Sequence, residues 1–269
     1  MANPQSAVRN PQSGAVIEVE RLVARYGEAT VLDGVSFAVR PGEVFVVLGS
    51  SGCGKTTLLR HLIGLQRPAG GRVRLFGRDI TQMEEDELDV LRGRFGVAFQ
   101  SGALFGSLSV AENVALPMRE HGLASSLVPG LVRMKLSLVG LGDAGEKMPS
   151  ELSGGMRKRV ALARALALDP ELVFFDEPSA GLDPVTAAGL DRLILSLREL
   201  LHITVVVVTH ELASIRAIAD RALMLAEGRI IYLGPLDAVE GAPDPRVAQF
   251  FRREPEGAAS PTGPATPQA

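Results

Sequence analysis

The chain has 269 residues, enough for one large α/β domain or two small lobes. Its formal net charge of −3 gives no bulk electrostatic case for nucleic-acid binding. A single cysteine excludes an internal disulfide framework and suits a reducing compartment.

Residues 1–14 carry Asn, Pro, Gln and Ser without the apolar stretch of a signal peptide, and are expected to form a disordered tail. No apolar run approaches the roughly 18 residues of a membrane-spanning helix. The 46% hydrophobic content therefore predicts a well-filled core, or a core together with an apolar docking surface. No internal repeat is visible.

Val16–Val23 alternates well enough for a strand. Tyr26 follows, an aromatic placed either to stack on a purine ring or to pack at a strand end. Val31–Val39 reads as a strand-pair region and Pro41-Gly42 as a turn. Val44–Leu48 is apolar throughout and reads as a buried parallel strand.

Next comes Gly49-Ser50-Ser51-Gly52-Cys53-Gly54-Lys55-Thr56, a match to G-x-x-x-x-G-K-[ST], with a helix predicted from Thr57 to Ile63. Strand, glycine loop and helix form the context that a phosphate-binding loop requires. Glycines turn backbone N–H groups toward an anion, and the free N–H groups of the helix start add positive partial charge. Lys55 is placed to reach the β- and γ-phosphates and Thr56 to ligate Mg²⁺. Cys53 is either a small residue that fits the loop or a thiol activated by the helix terminus.

Pro68–Gly71 is a turn and Arg72–Phe76 a strand; Glu84–Glu87 is a solvated acidic start to a short helix. Val97–Phe99 is a short strand ending at Gln100. The loop after it, Ser101–Phe105, is unexpectedly apolar. From Val110 to about Val139 the pattern is helical, broken by Pro117, Gly122 and Pro129, and predicts an inserted lobe of two or three helices. Ser150–Met156 leads into a helix over Arg157–Leu168, whose Arg157-Lys158-Arg159 cluster reads as a solvated face. Leu172–Asp176 is a buried strand ending in the acids Asp176 and Glu177. Pro184 opens a helix to about Leu201. Thr204–Val208 is β-branched and reads as a central strand ending at Thr209-His210. Ile215–Ala219 is helical, Leu223–Leu233 a hairpin turning at Glu227-Gly228, and Asp244–Phe251 a short helix. From Glu254 the Pro, Ala and Thr content predicts a disordered tail.

Ligands of such sheets bind at the carboxyl ends of the strands. Four strand ends, at Leu48, Phe99, Phe175 and Thr209, are therefore expected to converge on one site. Asp176 is placed as the carboxylate that holds Mg²⁺ through water, and Glu177, pointing elsewhere, as the group that polarises an attacking water. His210 and Gln100 stand at strand ends beside them. His61, His121 and His202 read as structural or solvated.

These residues resemble the ATP-binding subunits of ABC transporters. The carriers are the Walker A loop Gly49–Thr56, the Q-loop Gln100, the signature Leu152-Ser153-Gly154-Gly155-Met156, the Walker B strand with Asp176 and Glu177, the D-loop ending at Asp183, and the switch His210. Their order and spacing fit from about Val16 to Leu233, and L-S-G-G between Q-loop and Walker B is the most specific of them. The resemblance implies a P-loop ATPase of the α/β class. Its parts are a RecA-like core, an antiparallel β subdomain and an inserted helical subdomain at about 101–168, all within a domain at 15–240. A C-terminal helical segment at 241–253 and a tail at 254–269 complete the chain.

ATP and Mg²⁺ are the implied cofactors. Tyr26 stacks on adenine; Gly49 to Thr57 and Gln100 bind the nucleotide; Thr56, Gln100 and Asp176 hold the metal; Glu177 and His210 are catalytic. In a head-to-tail homodimer, Ser153, Gly154, Gly155 and Asp183 serve the nucleotide of the other copy. Met156 stands where Gln is usual. That departure, with Phe99–Phe105 and Met148–Glu151, is similar to the MlaF-type subfamily of Mce-associated phospholipid transport. The closer similarity runs from about Val97 to Phe250 and takes in Asp244–Phe250.

The subfamily implies a permease of the MlaE type, Mce-domain and small accessory subunits, no nucleic acid, and a peripheral place at the cytoplasmic face of the inner membrane, held there by the permease. Ala103, Leu104 and Phe105 are then candidates to receive a coupling helix, or else pack locally within the lobe. The competing functions are an ABC ATPase for amino acids or lipoproteins, and a soluble ABC ATPase of translation or DNA repair. The signature disfavours a P-loop kinase or GTPase.

Overall fold

The computed structural model describes residues 14–100 and 102–252. The predicted tails lie outside these residues except for Gly14, as does Ser101.

Two sheets organise the chain. The first is antiparallel, with spatial order β2-β1-β4-β5: β1 is Ile17–Tyr26, β2 Ala29–Val39, β4 Gly70–Leu75 and β5 Arg78–Asp79. The second has the order β10-β9-β3-β8-β7-β6: β3 is Val44–Gly49, β6 Phe95–Ala98, β7 Leu172–Asp176, β8 Thr204–Val208, β9 Arg221–Ala226 and β10 Arg229–Pro235. Strands β9, β3, β8, β7 and β6 run parallel, and β10 returns antiparallel at the edge. Every residue of β3, β7 and β8 is buried, as expected for parallel strands covered on both faces. The region read as a strand pair at Val31–Val39 is the single strand β2, whose register against β1 shifts repeatedly.

The core lies on both sides of the parallel sheet. Phe45, Val47, Phe174, Val206 and Leu223 face the antiparallel sheet and α1 (Lys55–Leu62). Phe37 of β2 stacks on Phe45 of β3 at 5.5 Å and an interplanar angle of 3°, joining the two sheets. Val46, Leu48, Val173, Val205 and Val207 face the other layer. That layer contains α3 (Val110–Glu120), α4 (Val128–Leu138), α5 (Gly154–Ala165), α6 (Pro184–Leu201), α7 (Leu212–Ile218) and α8 (Pro245–Arg252). The period-2 alternation of each strand thus divides its side chains between two cores. The acidic run opens α2 (Glu85–Arg92), with Glu85, Asp86 and Glu87 in its first turn.

The helical lobe holds two helices before α5, and Pro117 does not break the first of them. Pro117 lies inside α3, which runs on to Glu120. The start of α3 is fixed by a capping box. Ser109 Oγ accepts from the Glu112 amide, and the Glu112 carboxylate accepts from the Ser109 amide. Helix α5 begins at Gly154, three residues before the expected start, because Ser153 caps it by accepting from the Met156 amide at 3.2 Å.

Candidate active site

The carboxyl ends of β3, β6, β7 and β8 lie along one edge of the parallel sheet. There they open on a cavity of about 580 Å³. Gly49 to Gly52, Gly54 to Thr57, Gln100, Glu177 and His210 line it, together with Val31 and Phe250. The edge is held in register beyond the strands: Glu177 donates its amide to the Val208 carbonyl at 2.8 Å, and Thr209 donates to the Val47 carbonyl at 3.1 Å.

The glycine loop needs its glycines at particular places. Gly49 has φ 148°, and a Cβ there would lie 2.3 Å from the Leu225 carbonyl oxygen. Gly54 has φ 106°, and a Cβ would lie 2.7 Å from a Leu32 methyl. The loop folds around the Lys55 ammonium, which donates to the Gly49 and Ser50 carbonyls at 2.8 and 2.9 Å. Cys53 is buried behind the loop, and burial pushes its thiol pKa up against the pull of Lys55. This corrects the activated-thiol alternative: at this helix start desolvation outweighs the nearby positive charge.

Glu177 is the most constrained residue of the site. Its φ of 48° is left-handed, an unusual backbone for a residue with a side chain. The conformation turns its carboxylate onto the next strand end. One oxygen lies 2.7 Å from His210 Nδ1, and the other accepts from the Thr209 hydroxyl at 3.1 Å. A carboxylate held at both oxygens by groups beyond β8 has a fixed direction, which suits the orientation of a water. Asp176, one residue earlier, is nearly buried and does not line the cavity. Burial raises its pKa first and repulsion from Glu177 second, opposed by Lys158, Lys55 and Arg60.

Lys158 departs from the expectation of a solvated basic face, of which Arg157 remains exposed. Its ammonium donates to the carbonyls of Gln100 and Glu177, the latter at 2.9 Å, and so ties β6 to β7 at the cavity. Burial lowers its pKa, while Glu177, Asp176 and Glu211 oppose the shift. Arg157 donates to the Leu152 carbonyl and Arg159 to the Val139 carbonyl at 3.1 Å. Helix α5 packs against β6, α3, α4 and α6, so these long side chains bond to carbonyls within the domain.

Tyr26 is 42% exposed and is not part of the cavity lining. Its hydroxyl donates to Gln66 at 2.7 Å, and hydrogen bonding to Thr57, which does line the cavity, is the largest cause lowering its pKa. Ser153, Gly154, Gly155 and Asp183 are also away from the cavity lining. Ser153 caps α5, and Asp183 caps α6 by accepting from the amides of Val185 and Thr186 at 3.1 and 3.0 Å. A hydrogen bond from the Thr186 hydroxyl is the first cause lowering the Asp183 pKa. Of the residues read as structural, His61 is buried with Nδ1 2.7 Å from the Gln66 carbonyl, and His202 ends α6 in a left-handed conformation.

The apolar loop after Gln100 is fixed by polar groups beneath it. Asn113, fully buried, accepts from the Phe105 amide and donates to the Phe105, Leu108 and Ser109 carbonyls. Arg164 holds the carbonyls of Gly102 and Ala103. Phe105 is left 51% exposed, while Leu104 packs against the core.

Val31 and Phe250 line the cavity, and neither is marked as a site residue by the sequence. Val31 was legible only as part of a strand. Phe250 carries no motif that points to a nucleotide.

A family model described as "ABC transporter" matches residues 32–180. The chain is 42% identical over 243 residues to the "Intermembrane phospholipid transport system ATP-binding protein MlaF" of Haemophilus influenzae, covering 90% of this chain and 92% of that one. It is 41% identical over 249 residues to the "Probable ribonucleotide transport ATP-binding protein mkl" of Mycobacterium tuberculosis, covering 92% of this chain and 69% of that one. Among solved structures, the ATP-binding cassette MJ0796, as a post-hydrolysis dimer bound to ADP and Pi, is similar with a TM-score of 0.75 and 29% identity. That likeness covers 82% of this chain and 98% of the other.

Proposed function

This chain belongs to the ABC transporter family, as an ATP-binding subunit with ATPase chemistry, and on that premise we propose that it powers phospholipid transport between bacterial membranes. The observation that carries the cargo is the 42% identity over nearly the whole length of a phospholipid-transport subunit. A second cargo, a ribonucleotide, is favoured by the 41% identity to the mycobacterial protein. Cargo is selected by the permease. Among the described residues no helix is long and apolar enough to cross a membrane, so the membrane path belongs to partner chains.

The cavity is the ATP site. Lys55 exchanges the Gly49 and Ser50 carbonyls for phosphate oxygens, and the amides of Gly49–Thr57 surround the rest of the phosphate chain. Tyr26 receives the adenine ring beside Thr57. Thr56 and Gln100, with Asp176 acting through water from behind the cavity wall, would hold Mg²⁺: their donors are hard oxygens, and a cation there would relieve the repulsion between Asp176 and Glu177. The metal supplies charge neutralisation for phosphoryl transfer. Glu177 orients the attacking water, and His210 fixes one of its oxygens and faces the γ-phosphate.

One copy supplies half of each site. Ser153, Gly154, Gly155 and Asp183 stand on self-capped helix starts away from their own cavity and serve a second copy's nucleotide. The dimer docks on a permease of the MlaE type, with Mce-domain and small accessory subunits. The exposed Phe105, on its rigid Asn113 support, is the contact for a permease helix. The resulting complex sits at the cytoplasmic face of the inner membrane.

Purification of the tagged chain from detergent-solubilised membranes tests this. Recovery of a permease, an Mce-domain protein and bound phospholipid is the expected result. A permease that carries nucleotides moves the assignment to the second cargo, and recovery with ribosomes or DNA instead of a permease overturns it.

A further inference from the structure

The nucleotide cavity has a contributor from the last helix of the described chain. Helix α8 is fastened to the domain by several independent contacts. Val247 and Phe251 are buried in the core. Arg216 of α7 donates to the Phe251 carbonyl at 3.1 Å. Within the helix start itself, Asp244 accepts from the Arg246 amide at 3.0 Å and pairs with its guanidinium at 2.7 Å. Arg246 also lies 3.8 Å from Glu227, in the turn between β9 and β10, and the next residue of that turn, Gly228, packs against Val31.

Phe250 is placed by this framework. It is half-buried, meets Phe251 edge to face at 5.6 Å, and shares the cavity with Lys55, Gln100, Glu177 and His210. With Val31 it supplies the large apolar surface in a lining that is otherwise glycine, hydroxyl, amide or charge. An aromatic ring cannot replace a phosphate ligand. It can exclude water beside one, which strengthens the surrounding charge interactions. Helix α8 is also bonded through Arg216 to the helix that directly follows the His210 segment.

We propose that Phe250 is a nucleotide-contacting residue, and that α8 is an element of the same chain's ATP site which responds to its occupancy. This rests on the cavity being the ATP site. Binding supplies a partner for the exposed part of the ring, and the helix is then held from both sides.

The test uses the full chain with Mg²⁺ and a non-hydrolysable ATP analogue. Phe250→Ala is expected to weaken binding about tenfold, and Phe250→Leu about twofold or less, since leucine keeps most of the apolar surface. Amide exchange in Pro245–Arg252 of the unmutated protein is expected to slow when the nucleotide binds. Failure of the unmutated protein to bind at all would sink the ATP-site assignment itself. Normal binding by the unmutated protein and equal affinity in folded Phe250→Ala, or α8 exchange that ignores the nucleotide, overturns the role of Phe250. Should Phe250→Ala not fold, the exchange measurement decides alone.

Discussion

The two regions assigned to the proposed ATP site are built on opposite principles. At the strand ends, Lys55, Glu177 and His210 face an open cavity; Lys55 is held by carbonyls of its own loop, and Glu177 and His210 by a bond that crosses from one strand end to the next. At the starts of α5 and α6, Ser153 and Asp183 spend their side chains on their own helix amides. Gly155 fits against Thr186 so closely that a Cβ would lie 2.6 Å from the Thr186 Cγ2. The first end is a receptor for ligand. The second is a rigid plate of two packed helix starts, with the positive ends of their dipoles presented outward. On the proposed function, a site that needs both is completed only when two chains meet, which would separate what one copy can bind from what two copies can hydrolyse.

The largest expected effect breaks the receptor end. Glu177→Gln keeps the shape of the side chain and one acceptor oxygen but replaces the other, basic oxygen by an NH2 donor, so turnover should fall by about a hundredfold or more with ATP affinity retained. Normal hydrolysis by this variant would remove Glu177 from its water-orienting role. Lys55→Ala, by contrast, should lose binding itself.

The plate end is broken by geometry. Gly155→Ala drives a methyl into Thr186 and should tilt α5 against α6, lowering turnover about tenfold without changing nucleotide binding by one copy. Thr186→Ser removes the offending methyl and keeps the hydroxyl that bonds Asp183. The double variant should therefore recover most of the turnover. No recovery would mean that the contact is not what fixes the plate. A smaller effect is expected for Lys158→Met. It leaves the Gln100 and Glu177 carbonyls without their shared donor, and kcat should fall a few-fold with KM nearly constant; a rise in KM at constant kcat would place Lys158 on ATP binding instead.

The receptor end was legible in the sequence because its chemistry is local. Each of Gly49–Thr56, Gln100, Glu177 and His210 follows an apolar strand, and parallel strands in one sheet bring their carboxyl ends together. The sheet itself was legible from the same apolar runs. Links that depend on how helices pack over the sheet were not. Arg157-Lys158-Arg159 has the composition of a solvated face, yet the packing of α5 leaves Lys158 as a donor to the carbonyls of Gln100 and Glu177 at two strand ends, and turns Arg157 and Arg159 onto carbonyls within the helical layer. Pro117 carries a breaker's signature, but α3 continues past it, with Met118 buried in the core. Cys53 sits where a helix terminus should acidify a thiol, and burial reverses the sign. Phe250 has no local mark, because its place depends on contacts that α8 makes with α7 and the β9–β10 turn.

The smallest expected effect concerns the joint between the two ends. Asp191 of α6 is buried, with Oδ1 unbonded, beside the Ser179–Ser214 pair that links the segments after Glu177 and His210. Burial raises its pKa; repulsion from Glu211 adds to this, and a hydrogen bond with Ser214 opposes it. A raised folded-state pKa favours the protonated form in the fold. The relative stability from this group is thus full below the ordinary carboxylate range and is lost as pH rises through the raised pKa. Above that pKa the fold carries a buried, ionised carboxylate. Asp191→Asn keeps the shape and an acceptor for Ser214 and removes the charge. It should raise the melting temperature by about 2 °C or more at pH above the raised pKa, and by progressively less as the pH falls toward the ordinary carboxylate range. A gain that is independent of pH, or a loss at every pH, would mean that the ionised carboxylate is not what costs the joint its stability.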